Sequence, residues 1–305
     1  MVRVFVTSPG KRLVRRLIDL PVIAREYARH GGLLTYFGLP SEGFGDVQDW
    51  RPYIGRIVAV ERGDPYEPER KQALLLSKAI RLGISERLLL LRGEIHEIIL
   101  RGQDTIGQKL TYPFELVNFD YGGTLLYPDR NRVKALERFV GEQSRNESDF
   151  LLLMTLLNMR EYDPREIDET QERIKADVTQ LLPGDAARVA DHFRRMNESN
   201  SPLRMITHVL YLLKGLAEAN HYRIEWDMPV LYAGSKGTPL VHYVTQLSFQ
   251  PGASTKVVSE QGLNEILNVR PRILAGREFR VAEQTELYPS QHDGTNQKSA
   301  GLSET

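Results

Sequence analysis

The stretch HYRIEWDMPVLYAGSKGTPLVHYVTQLSFQPG, residues 221–252, holds two β-rich runs joined by a turn of Gly, Ser, Lys, Thr and Pro. Such a pattern predicts an antiparallel hairpin. What precedes it has another rhythm. GGLLTYFGLP (31–40), RIVAVER (56–62), RLLLLRG (87–93), FELVNFDYGG (114–123) and DFLLLMTLLNMR (149–160) are short apolar runs closed by Gly, Pro or charge. They predict buried strands. Between the second and third lies EPERKQALLLSKAIRLGI (67–84), a predicted helix with its apolar stripe at Ala73, Leu74, Ala79, Ile80 and Leu82 and a stop at Gly83. Further helices are predicted after the third strand and at RNRVKALERFVGEQ (130–143). Strands separated by helices imply right-handed crossovers and a parallel sheet covered on both faces.

The fold class is therefore α/β: a doubly wound, mostly parallel sheet with a C-terminal antiparallel hairpin. A helical insertion at 161–221, divided by Pro183-Gly184, precedes the hairpin. The expected organisation is a basic N-terminal helical segment (1–30), a Rossmann-like domain (31–252, with 161–221 as its elaboration), a helix/strand extension (253–287) and a flexible polar tail (288–305). Residues 12–29 have helical apolar spacing interrupted by Pro21. No internal repeat is present.

Composition narrows the chemistry. The 305 residues carry 40 Lys+Arg and 40 Asp+Glu, so the formal charge is zero, and 41% are hydrophobic. Such a chain can bury a full core without metal or disulfide staples. Zero cysteines exclude disulfides, thiolate metal sites and a cysteine nucleophile. No run approaches the ~20 apolar residues of a membrane span. The N-terminus lacks the apolar core of a secretory signal, so cytoplasm is the expected compartment and no membrane partner is expected. The zero charge hides a local excess: Arg3, Lys11, Arg12, Arg15, Arg16, Arg25 and Arg29 face only Asp19 and Glu26 in the first 30 residues. Either this is a surface that meets phosphate or it is the solvated face of a helix.

Ligands of open α/β sheets bind at the carboxyl ends of the strands. After the first strand, GLPSEGFGDVQDW (38–50) offers Gly38, Gly43 and Gly45 for tight backbone passage and Asp46 as a polar contact. The second strand ends in Glu61, 23 residues after Gly38, close to the roughly 20 expected for a carboxylate that accepts ribose hydroxyls. The third exits as LLRGEIHEII (90–99), with Glu94, His96 and Glu97. The fourth carries VNFDYGG (117–123), where Asn118 and Asp120 leave the same face of the strand. The fifth ends in Thr155, Asn158 and Arg160.

This order of strands, with its closing hairpin, resembles the class I, Rossmann-like S-adenosylmethionine-dependent methyltransferases. The AVER segment is similar to their second motif. VNFDYGG resembles the fourth motif of nucleic-acid methyltransferases, distantly like the tRNA guanine dimethyltransferases and the three-Cys-motif partner proteins. Two departures stand out: the first loop lacks GxGxG, and no proline follows Asp120. The resemblance implies S-adenosylmethionine as cofactor, with Gly38, Glu42, Gly43, Asp46, Glu61 and Glu94 on the cofactor side. It implies Asp120, Tyr121 and Asn118 as the catalytic set, Asp120 orienting or deprotonating the acceptor and Tyr121 stacking on it. Glu94 alternatively caps the next helix. Lys236 in the hairpin turn is either a phosphate contact or an ordinary exposed lysine. The acceptor would be a nitrogen or oxygen, with nucleic acid a candidate substrate through the basic N-terminus and a homo-oligomer a candidate assembly. The missing cysteine excludes methylation of a pyrimidine C5 through a thioether. The degenerate motifs leave a rival: a module of the same fold that has lost catalysis and serves as a binding partner. No phosphate loop, HExxH or GxSxG elbow is present, and the seven histidines lack metal-ligand spacing. No metal is expected.

Overall fold

The computed structural model describes residues 8–40, 44–61, 68–121, 123–125, 130–157, 164–199, 201–234, 237–252 and 258–287. Among the described residues nine strands form one sheet: β1 (Leu34–Gly38), β2 (Ile54–Glu61), β3 (Leu88–Arg92), β4 (Leu116–Asp120), β5 (Phe150–Leu157), β6 (Tyr222–Ala233), β7 (Pro239–Phe249), β8 (Arg272–Ala275) and β9 (Glu278–Val281). Their order is β3-β2-β1-β4-β5-β7-β6-β8-β9. The first five are mutually parallel, and β7 runs antiparallel to both β5 and β6. The predicted sheet and its hairpin are both present. The short pair β8–β9 extends the edge beyond β6, β8 running parallel to it.

Strand alternation sorts the core into two layers. Leu34, Tyr36, Ile57, Ala59, Leu116, Leu151 and Leu153 face one side, with Val14, Ile18, Ile23, Val47, Trp50, Leu75 and Ala79 packed over them. Those covering residues come from α1 (Pro9–Val14), a π-helical turn (Arg15–Asp19), α2 (Leu20–His30), α3 (Gly45–Trp50) and α4 (Pro68–Arg81). Phe37, Val58, Val117, Phe119 and Leu152 face the other side. There they meet α5 (Ile95–Arg101), α6 (Asn131–Arg145), α7 (Pro164–Leu181), α8 (Ala186–Glu198), α9 (Leu203–Ala219) and α10 (Glu260–Leu267). A last short helix, α11 (Gln284–Leu287), ends the described chain. Phe139 of α6 anchors this second layer, stacked on Phe37 with ring centroids 5.6 Å apart and edge-on to Phe150 at 5.9 Å.

The N-terminal segment is more tightly integrated than its charge suggested. Ser8 caps α1, accepting from the Lys11 N–H at 3.2 Å, and Pro9 occupies the first turn, where its missing N–H costs nothing. Pro21 does not stop the helix. It lies in the first turn of α2, immediately after the π-helical turn, which absorbs the interruption. Four of these cations find carboxylate partners inside the chain: Lys11 with Asp120, Arg15 and Arg16 toward Asp49, Arg29 with Glu26 and Asp149. The Arg25 guanidinium lies over the Trp226 ring, 4.6 Å from its centroid.

Two local expectations are corrected. The stripe assigned to α4 is rotated: Leu75 and Ala79 are buried, whereas Leu74 and Ile80 are 61% and 66% exposed. Leu74-Leu75-Leu76 offers three adjacent registers, and periodicity alone cannot choose among them. Residues 45–50 form α3 rather than loop, a helix too short to leave a periodic trace.

Candidate active site

The sheet reverses direction between β1 and β4: the chain runs outward through β2 and β3, then returns to build β4 and β5 on the other side. At such a switch point the loops diverge and leave a crevice above the strand ends. Here a cavity of about 320 Å³ opens, lined by residues of α1, α3 and the ends of β1, β4, β5, β6 and β7.

Register fills its floor with polar groups. Gly38 pairs with Asn118, Asp120 with Thr155, and Thr155 with His242. Asn118 and Asp120 project into the cavity on the same face. Gly38 is required by close approach, since a Cβ there would stand 2.5 Å from the Asn118 carbonyl oxygen and 2.6 Å from Tyr36 Oη.

Asp46, in the first turn of α3, is the centre of one cluster. Its Oδ2 accepts from Tyr36 Oη at 2.9 Å and from Asn118 Nδ2 at 3.0 Å. Oδ1 is buried with no hydrogen bond of its own. Burial pushes the Asp46 carboxyl above the ordinary carboxylate range, against the opposing pull of the Tyr36 hydroxyl, the Arg15 cation and nearby backbone N–H groups. The same cluster raises the Tyr36 phenol, chiefly through burial and then through the Asp46 charge. Asp46 lines the crevice, and its Oδ1, buried without a well-formed hydrogen bond, has accepting capacity to spare.

Asp120 is held differently. The Lys11 ammonium donates to its Oδ1 at 2.8 Å and its Oδ2 at 2.6 Å, both side chains being about one third exposed. Beside it runs a third cluster. Thr155 Oγ1 lies 2.8 Å from His242 Nδ1, and His242 Nε2 lies 2.8 Å from Asp19 Oδ1. All three residues are buried and line the cavity.

The residues singled out in the sequence thus separate. Gly38, Asp46, Asn118 and Asp120 converge on the crevice. Tyr121 does not. Its ring is buried in the layer on the opposite side of the sheet, against Phe119 and with the Arg132 guanidinium 5.0 Å from its centroid. Alternation requires this, because Asp120 takes the cavity face and its neighbour must point away. The expected stacking of Tyr121 on an acceptor is therefore withdrawn. Glu61 ends β2 as a mostly buried side chain, ion-paired with Lys71 at 2.6 Å. Glu94 takes the N-cap position of α5, where its carbonyl accepts from Ile98 and its side chain makes no capping hydrogen bond. Neither glutamate lines the cavity. Glu42, Gly43, Asn158, Arg160 and Lys236 lie outside the described residues.

Sequence reasoning missed Lys11, Tyr36, Asp19 and His242. Lys11 and Asp19 were legible only as members of a charge count, and His242 as one of several scattered histidines. The register that joins them across 109 and 223 positions has no local signal.

No family model matches the chain, and no curated protein matches it. Among solved structures, an uncharacterized protein of Listeria monocytogenes serotype 4b superposes with TM-score 0.42 at 8% identity, over 81% of this chain and 73% of that one. An O-methyltransferase of Bacillus cereus in complex with S-adenosylhomocysteine gives TM-score 0.39 at 13% identity, over 79% and 93%. The M. jannaschii TYW2 protein in complex with AdoMet gives 0.38 at 10% identity, over 76% and 76%. Scores and identities this low carry no argument of their own. The strand order itself is plain: five parallel strands reversing between β1 and β4, with antiparallel β7 inserted beside β5, form the doubly wound, Rossmann-like sheet that the resemblance to class I methyltransferases implies.

Proposed function

We propose that this chain is an S-adenosylmethionine-dependent methyltransferase acting on an oxygen or nitrogen acceptor. The observation that carries the reading is the crevice at the switch point, where Asp46 presents a buried, unpaired Oδ1 beside Asp120. S-adenosylmethionine, when bound, supplies a methyl group on a sulfonium sulfur. The donor set suits it. An acidic oxygen without a partner suits the N–H donors of the methionine end, and Glu61 at the tip of β2 offers acceptors for a ribose diol. Lys71 would share or yield that carboxylate. Methyl transfer asks the protein chiefly for positioning. Tyr36 and Asn118 fix the Asp46 carboxylate, and Asp120 is placed to orient an acceptor at the end of β4.

Lys11, Arg15, Arg16, Arg25 and Arg29 are engaged within the chain, so an acceptor that enters the cavity fits better than one laid along a basic surface. A second reading has its own support: Lys11 occupies both oxygens of Asp120, as expected of a module whose catalysis has lapsed and which now binds a ligand or partner. The two readings part under one experiment. Wild type and Asp120→Ala are titrated with S-adenosylmethionine and then assayed for transfer of radiolabelled methyl to phenol, amine and nucleoside acceptors. The enzyme reading expects both to bind the cofactor and only wild type to turn over. Binding without turnover by either selects the inactive module, and absence of binding removes the enzyme reading.

A further inference from the structure

We infer that Thr155, His242 and Asp19 form a proton relay opening on the cavity, and that the group it serves is a hydroxyl. The inference rests on the methyltransferase reading for the purpose of the proton transfer, but not for the geometry. A carboxylate oxygen accepts, so His242 Nε2 carries the hydrogen that it shares with Asp19 across 2.8 Å. This leaves Nδ1 with its lone pair, and at 2.8 Å that lone pair takes the hydroxyl hydrogen of Thr155. The Thr155 hydrogen is thereby committed inward. Toward the cavity its oxygen can only accept.

The arrangement repeats the logic of a hydroxyl, its base and the group that orients the base. When a hydroxyl-bearing ligand donates to Thr155 Oγ1, its proton passes to that oxygen as the Thr155 proton passes to Nδ1. One proton enters the relay, one reaches the imidazole, and the resulting imidazolium is held against Asp19. The ligand is left as an oxyanion, the form in which an alcohol or phenol attacks a methyl group. The other charged and titratable groups around the cavity are Lys11 and Arg15 from the N-terminal helical segment, Asp46, Asp120 and the Tyr232 phenol of β6. The two cations favour the oxyanion and the two carboxylates oppose it. Tyr232 is itself pushed up by burial, against the pull of a hydrogen bond with Thr155, so a ligand hydroxyl reaches Thr155 Oγ1 in the place of this phenol. An alkylamine acceptor would also have to lose its proton, and Asp46 and Asp120 would hold it as the unreactive ammonium, whereas a hydroxyl enters neutral and gives its proton to the relay.

The test needs neither cofactor nor the natural acceptor. 4-Nitrophenol is titrated into the full chain at a pH about one unit below the phenol's own pKa, and the absorbance of its phenolate is followed. Wild type is expected to bind it and raise the phenolate-to-phenol ratio by at least ~10-fold, one pKa unit. A ring-nitrogen NMR signal should report His242 becoming doubly protonated as binding proceeds. His242→Gln keeps a donor toward Asp19 and an acceptor toward Thr155 but cannot take a proton. It should bind the phenol in its neutral form. Thr155→Val should also leave it neutral, and Thr155→Ser should restore ionisation. Binding without ionisation by wild type overturns the relay, as does equal ionisation by His242→Gln or failure of the phenol to bind. Because cofactor binding is measured separately by calorimetry, a chain that ionises the phenol but ignores S-adenosylmethionine would refute the methyltransferase reading and leave the relay standing.

Discussion

Replacing Asp46 by Asn separates what this carboxylate does for the fold from what it does for a ligand. In the fold, Oδ2 receives two hydrogen bonds, at 2.9 and 3.0 Å, while Oδ1 is buried with none. An Asn oxygen in the place of Oδ2 can keep both bonds, but its amide nitrogen then takes the place of Oδ1 and buries N–H groups with no acceptor, at a cost of about 1 kcal/mol. Against that, the substitution removes a charge whose burial raises the carboxyl's pKa. A group whose folded pKa lies above its unfolded value contributes stability at low pH that is lost as pH rises through the folded pKa. Wild type should therefore match or exceed the variant below the ordinary carboxylate pKa of ~3.9. It should lose ground steadily as pH rises above it, ending within about 1 kcal/mol of the variant at neutrality, or roughly 2–4 °C in melting temperature. The ligand side moves the other way. Removing a charged acceptor costs about 1.5–3 kcal/mol, so affinity for S-adenosylhomocysteine should fall roughly 10- to 150-fold. Thermal melts across pH and calorimetric titration read the two effects. If wild type instead gains on the variant as pH rises, Asp46 is stabilised as an ion and the argument from its unpaired oxygen fails. Unchanged affinity would remove Asp46 from the site.

Three further outcomes are expected. Glu61→Ala should abolish cofactor binding in calorimetry while costing the fold only about 1 kcal/mol, since its ion pair with Lys71 is partly open to solvent. Gly38→Ala should force Asn118 and Tyr36 apart, because its Cβ would come within 2.6 Å of both. The cost should be about 1–3 kcal/mol in denaturant unfolding, with loss of ligand affinity. Phe139→Ala, at a fully buried ring stacked on Phe37, should cost about 3–5 kcal/mol and be seen as a fall in the denaturant midpoint.

The architecture was largely legible because the parallel strands are short, mostly apolar runs, and β1, β2, β4 and β5 are buried along most of their length. The hairpin stood out through a change of pattern at His221 rather than through the strength of any one segment. What escaped were features whose signal is shorter than a period or longer than a window. The six residues of α3 make fewer than two helical turns, and the α4 stripe was misplaced by one position in Leu74-Leu75-Leu76. Parity could have placed Tyr121 correctly from the outset: once Asp120 is assigned to the cleft, the next residue belongs to the opposite layer. The site was half legible. Gly38, Asp46, Asn118 and Asp120 follow from strand ends, which the sequence marks. Lys11, Asp19 and His242 enter only through pairing between segments remote in the chain. That β7 sits directly against β5, carrying His242 to Thr155, is a fact of topology that no local pattern encodes.

Calorimetric titration of the full chain with S-adenosylmethionine, competed by S-adenosylhomocysteine, tests the account most directly. It predicts one molecule bound per chain, competition between the two, and loss of the heat in both Asp46→Asn and Glu61→Ala at ligand concentrations that saturate wild type. Absence of heat with wild type, or heat that survives in both variants, would contradict it.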